Sequence, residues 1–227
     1  MSVLCSPPVW AISVAAFCHN WVYYLAVTDL PAYFKNVLRM KISENGLTSG
    51  IPFVFAFFTQ VLGSFVADYL LNRGYSVTKT RKFVTAIGFC PTAACLCLVG
   101  YVGCDDSWLS VTFIVLLVGL ANLSYGGYGV NQLDLSPRFA GVLWSFTAFF
   151  ANISGGITPL VTGFITNKNP SRSNYRIVFI IAAGVCMCGV LFYILFGSGE
   201  EEEWNREDMG DGRKYKGKEE CKKLLTK

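Results

Sequence analysis

Apolar residues run through this chain in long blocks rather than at the period of a helix face or a strand. Charge falls almost entirely between the blocks. Uncharged stretches cover roughly 9–28, 51–67, 83–103, 107–132, 140–167 and 177–196. A helix needs about 20 mainly apolar residues to cross the hydrocarbon core of a bilayer, so each block is long enough, or nearly so, to be a span. Six spans in 227 residues leave no room for a soluble core. The pattern therefore predicts an all-α, polytopic membrane protein, with helices about 9–28, 50–70, 83–103, 107–128, 140–166 and 177–197. Residues 1–8 read as a short linker and 198–227 as a disordered tail, in which charges of both signs are dense and large apolar residues few. The opening MSVLCSPP has no basic residue, so the first span is expected to stay rather than be removed as a leader.

Lysine and arginine set orientation. With both termini cytoplasmic, the inner side holds Arg73, Lys79, Arg81, Lys82, Arg138 and the basic residues of the tail. The outer side holds Lys35, Arg39, Lys41, Lys168, Arg172 and Arg176. That excess argues for termini inside. The net charge of +4 comes from loops and tail, which suits anionic lipid headgroups and gives no reason to invoke nucleic acid. Nine cysteines lie mostly in apolar spans without metal-ligand spacing, so they read as small packing residues and no metal is expected. Hydrolase triads, phosphate loops and redox motifs are not found, and enzyme activity or an organic cofactor is not expected. Near the end, ECKKLL (220–225) fits an acidic dileucine sorting pattern, a short motif that often arises by chance.

Polar residues inside the blocks are the candidate chemistry. On a helical wheel His19, Asn20, Tyr23, Tyr24 and Thr28 share one half of the first span, while Trp21, Val22, Leu25 and Ala26 occupy the other. His19 is the only histidine in the chain. An ionisable residue in a span faces a pathway or a paired partner, and imidazole can change charge near neutral pH; a neutral ring hydrogen-bonded to a neighbouring helix is the plainer alternative. Asp29, ahead of helix-breaking Pro31, reads as an interfacial cap. In GSFVADYLLNRGYSVTKTRK (63–82), Gly63 and Ala67 share a face suited to close helix contact. Asp68 ends that span and is expected to pair with Arg73 or Arg81 as a cytoplasmic latch, a plain charged loop being the alternative. In GGYGVNQLDLSPRFAG (126–141), Asp134 and Arg138, separated by Pro137, suggest a structured cytoplasmic turn, a solvated pair being the alternative. Small residues fill spans four and five, and Pro159 beside Gly155 and Gly156 should bend the fifth, as a hinge or a fixed kink.

Taken in order, PVWAISVAAFCHNWVYYLAVTDLPAYFKNVL, ISENGLTSGIPF, VADYLLNRGYSVTKTRK, YGVNQLDLSPRFAGVLWSF and SGEEEEWN resemble the anion:cation symporter family of the major facilitator superfamily. That family takes in sialin-like, vesicular glutamate and type I sodium/phosphate transporters. The resemblance runs from about Pro7 to Trp204 and covers the seventh to twelfth helices, the C-terminal half of such a fold, with its 3+3 inverted repeat. It implies secondary active transport of an organic anion or phosphate by alternating access, coupled to protons or sodium, in a plasma, lysosomal or vesicular membrane. Its partners would be the bilayer, a small anionic substrate, and the missing N-terminal six-helix half. A truncated, non-transporting form that assembles with a full-length relative is the alternative, suggested by how close Met1 lies to the first span.

By the same resemblance His19, Asn20, Tyr23 and Tyr24 line the substrate pathway, His19 standing where vesicular glutamate transporters carry arginine and sialin-like members an aromatic residue. The stretch with Gly63, Ala67, Asp68, Arg73 and Arg81 resembles the superfamily's gating motif. Asn131, Asp134, Pro137 and Arg138 fall in the family's loop motif. Gln132, where many members have histidine, and Ala148, where many have asparagine, depart from the pattern and leave the substrate open.

Overall fold

A computed structural model describes residues 6–40, 42–102, 107–167, 170–202 and 205, with the backbone alone for 42–45 and 47. Most of the tail assigned above to 198–227, including the dileucine pattern, lies outside the described residues. The described chain is helical throughout. Its elements are α1 (Pro7–Tyr24), a π-helical turn (Leu25–Asp29), α2 (Leu30–Asn36), α3 (Ile42–Asn72), α4 (Val77–Tyr101), α5 (Ser107–Leu123), α6 (Tyr125–Tyr128), α7 (Asn131–Leu135), α8 (Ala140–Thr166) and α9 (Arg172–Phe196). They form six helical spans long and apolar enough to cross a membrane, so the chain is a multi-pass membrane protein.

The first span departs from the expected 9–28. Pro7 and Pro8 open α1, where their missing N–H groups cost nothing. Pro31 does not end the helix: the wider π turn absorbs it, and α2 carries the span on to Asn36. Within that turn the Thr28 hydroxyl donates to the Tyr24 carbonyl at 2.7 Å. The third and sixth spans begin earlier than hydropathy alone indicates, because serines cap them. Ser76 accepts from the Lys79 amide and Ser171 from the Asn174 amide. Gly74, at φ +87°, makes the tight turn from α3 into α4.

The fourth span is interrupted into α5, α6 and α7. Its small residues let it thread between α3 and α4. A Cβ on Gly126 would lie 2.5 Å from the Gly63 carbonyl carbon, and one on Gly127 would lie 2.7 Å from the Arg81 carbonyl oxygen. Close backbone approach replaces the hydrophobic drive that lipid cannot supply. Elsewhere α1 packs on α8 and α9, α4 on α5 and α9, and α3 on α5. Interior aromatic pairs fill the bundle: Phe89 stacks on Tyr128, and Tyr33 meets Phe179 edge-on at 5.2 Å.

Large apolar side chains such as Phe57, Phe65, Leu160 and Phe164 stand exposed on the outside. Such a surface suits lipid or another transmembrane surface, not water. The helix α8 runs unbroken through Pro159. After α9 the chain lies against the bundle, where the Gly199 amide donates to the Thr78 hydroxyl and the Glu202 amide to the Leu135 carbonyl.

Candidate substrate cavity

Between α1, α3, the broken fourth span and α8 lies a cavity of ≈ 340 Å³. That is within the size range of small-molecule sites. Its lining carries neither Asp nor Glu, neither Lys nor Arg, among the described residues. Amides and aromatic rings take their place.

From α1 come His19, Asn20 and Tyr23. His19 is 94% withdrawn from solvent, at 6% exposure, and sits among the rings of Phe89, Tyr125 and Tyr128, with centroids 5.7–6.5 Å away. It lies beside Ala121 of α5, and its Nδ1 has no hydrogen-bond partner among the described residues. The ring is thus a wall residue of the cavity, packed among aromatic side chains. Asn20 donates to the Ala16 carbonyl one turn back. Tyr23, the most exposed of the set, meets Phe53 edge-on. Tyr24 is not part of the lining; its hydroxyl donates to Asn152 Oδ1 at 3.0 Å and ties α1 to α8. Gly155 makes room for that ring, since a Cβ there would lie 2.6 Å from it, whereas Gly156 has open space around it.

The opposite wall contributes residues that the sequence reading did not assign to the pathway. Gln60, Asn122 and Asn152 are amides set among apolar neighbours, and that setting is the signal that could have found them. Asn152 lies one turn from Ala148 and presents an amide to the cavity from α8, its Nδ2 donating to the Ala148 carbonyl at 2.8 Å. Gln132 on α7 donates to the Thr147 hydroxyl at 2.9 Å, and Thr147 donates in turn to the Trp144 carbonyl. Trp144 also lines the cavity, its indole edge-on to Tyr125 at 6.1 Å.

The charged groups expected at the gate are arranged differently from the sequence reading. Arg81 is bound not to Asp68 but to Asp134, in a two-pronged pair with N–O distances of 2.7 and 3.3 Å, and it also donates to the Gly126 carbonyl. Asp134 likewise pairs with Arg81 across the bundle rather than with Arg138, whose guanidinium lies over the Phe139 ring. The reason is position: Arg81 and Asp134 meet where α4 and α7 are buried, and a planar guanidinium matches a carboxylate there. Asp68 stands exposed at the end of α3, and Arg73 lies over the Tyr69 ring. Ala67 is fully buried beside it. On α7, Asn131 donates to Tyr193 Oη and to the Ser198 carbonyl, both at 2.8 Å. Among the described residues no group of three or more His, Cys, Asp or Glu side chains is placed to hold a metal.

No family model matches the chain. Individual proteins do. Vesicular glutamate transporter 2 of Homo sapiens is 38% identical over 200 residues, 88% of this chain and 34% of its own length. Sialin of Ovis aries is 37% identical over 207 residues, 91% of this chain and 41% of its own length. Vesicular glutamate transporter 1 of Bos taurus is 37% identical over 208 residues, 91% of this chain and 37% of its own. The chain therefore spans well under half the length of these relatives. Relatives that are 37–38% identical over 88–91% of the chain are vesicular glutamate transporters and sialin, and on that ground the chain belongs to the anion:cation symporter family of the major facilitator superfamily.

Proposed function

We propose that the chain is the C-terminal six-helix half of a secondary active transporter that moves an organic anion or inorganic phosphate by alternating access, driven by protons or sodium, with both termini on the cytoplasmic side. The observation that carries this reading is the polar cavity inside an apolar bundle. Amides in a lipid-embedded helix are costly unless they meet a partner, and Asn20, Gln60, Asn122, Gln132 and Asn152 converge on one space. A transporter of this superfamily binds substrate between two six-helix halves. The uncharged wall is then one side of the site: its amides and rings orient the substrate, and His19 is the one titratable imidazole available to meet its charge or a coupling proton.

The test is uptake by the complete protein in liposomes, with labelled glutamate, sialic acid and inorganic phosphate as probes, under an imposed proton or sodium gradient. Uptake of at least one probe, dependent on one gradient, is the expected result. His19→Ala should cut that uptake while leaving the amount of folded protein unchanged. Equal loss of uptake and of folded protein would reduce His19 to a packing residue, and failure to move any of the three probes under either gradient would remove the reading itself.

A further inference from the structure

Beyond Phe196 the chain does not leave the bundle. Residues 197–202 and Asn205 lie back across the ends of α4 and α7. Gly199 packs on the first turn of α4 so closely that a Cβ would come within 2.7 Å of Val77 Cγ1 and 2.9 Å of the Thr78 nitrogen, and its own amide donates to the Thr78 hydroxyl at 2.9 Å. Further contacts go to α7 or the residue just after it. Asn131 donates to the Ser198 carbonyl at 2.8 Å, the Glu202 amide to the Leu135 carbonyl at 3.1 Å, and the Ser136 hydroxyl to Asn205 Oδ1 at 2.6 Å. Asn205 is itself held by Glu201.

A helix of five residues has too few internal hydrogen bonds to fix itself. Its place is set by what grips it. Arg81 holds α7 through Asp134, and Ser198, Glu202 and Asn205 hold it through Asn131, Leu135 and Ser136. Gln132 lies between those grips and is the residue of α7 that lines the cavity, aimed at Thr147 of α8. We infer that residues 197–202 together with Asn205 form a positioning strap for the substrate cavity: by fixing α7 they set where the Gln132 amide stands, so this segment outside the spans tunes substrate recognition.

The inference rests on the cavity being the substrate site, and the test separates the two. In the complete protein, the Michaelis constant and maximal rate of uptake are measured, per folded protein in the membrane, for the probes named above. Gly199→Val, which forces the strap off α4, should raise the Michaelis constant about 3- to 10-fold, the range expected for energetic coupling through a packed network, with the maximal rate within about twofold. Gln132→Leu should raise it as well, and adding Gly199→Val to Gln132→Leu should raise it no further, because the strap acts through that amide.

A full additional factor in the double variant, or a fall in maximal rate with an unchanged Michaelis constant, would overturn the strap as a positioning element. If Gln132→Leu alone leaves both constants unchanged, the assignment of Gln132 to the substrate site fails, and the strap's role with it. Should Gly199→Val not reach the membrane, Asn205→Ala, which removes the strap's bonds to Ser136 and Glu201, is held to the same comparison with Gln132→Leu.

Discussion

At the scale of single residues the bundle depends on where a side chain is missing. Gly126 and Gly156 sit in the same protein with opposite surroundings: backbone of α3 within 2.5 Å of a Cβ in one case, nothing within 4 Å in the other. Gly126→Ala should lower stability by about 1–3 kcal/mol, the usual cost of overpacking. Gly156→Ala should hold or raise it by up to about 1 kcal/mol, since alanine is the better helix former. Thermal unfolding in detergent compares the two directly. The same pair examines the hinge reading of α8. If Gly156 serves motion, Gly156→Ala keeps its melting temperature and loses uptake; if uptake is untouched, the glycine beside Pro159 is no hinge. Gly155 belongs to a different category, because it accommodates the Tyr24 ring.

At the scale of elements, the Arg81–Asp134 pair joins α4 to the short α7 across 53 residues of sequence. Arg81 is 6% exposed and Asp134 21% in their side chains, so removing one partner strands the other in poorly solvated surroundings. Breaking a buried pair costs about 3–5 kcal/mol, whereas replacing both partners by apolar residues is often nearly neutral. Arg81→Met or Asp134→Leu alone should therefore destabilise the protein strongly, and the double variant should recover most of the loss. Asp68→Asn, at the exposed end of α3, should stay within about 0.5 kcal/mol. Equal effects at Asp68 and Asp134 would contradict the pairing. The expectation of an Asp68 latch came from local spacing, and spacing has no access to a contact made by a helix two spans further on. The π turn is similar: Pro31 looks like a stop until the tertiary setting shows a wider turn absorbing it.

At the scale of the whole molecule, hydropathy over some twenty residues was enough to place six spans, because lipid imposes that one requirement on every crossing helix. What hydropathy could not show was how they are subdivided and tied. The break in the fourth span and the strap over α7 depend on hydrogen bonds such as Asn131 to Ser198, between residues 67 apart. The α1 face of the cavity was legible from helical phase, since His19, Asn20 and Tyr23 fall on one side of one helix. The α3, α5 and α8 contributions were present as amides whose convergence only the fold reveals. Orientation is a property of the whole chain too. With the basic residues of the tail and of the α3–α4 turn on one side, an epitope following Lys227 should be digested by protease only after the plasma membrane is made permeable. Digestion in intact cells would reverse the topology. The edge-on contact of Trp144 with Tyr125 in the cavity wall has an optical consequence: a molecule entering beside that indole changes its surroundings, so occupancy should alter the protein's own tryptophan emission, and Trp144→Phe should abolish the change.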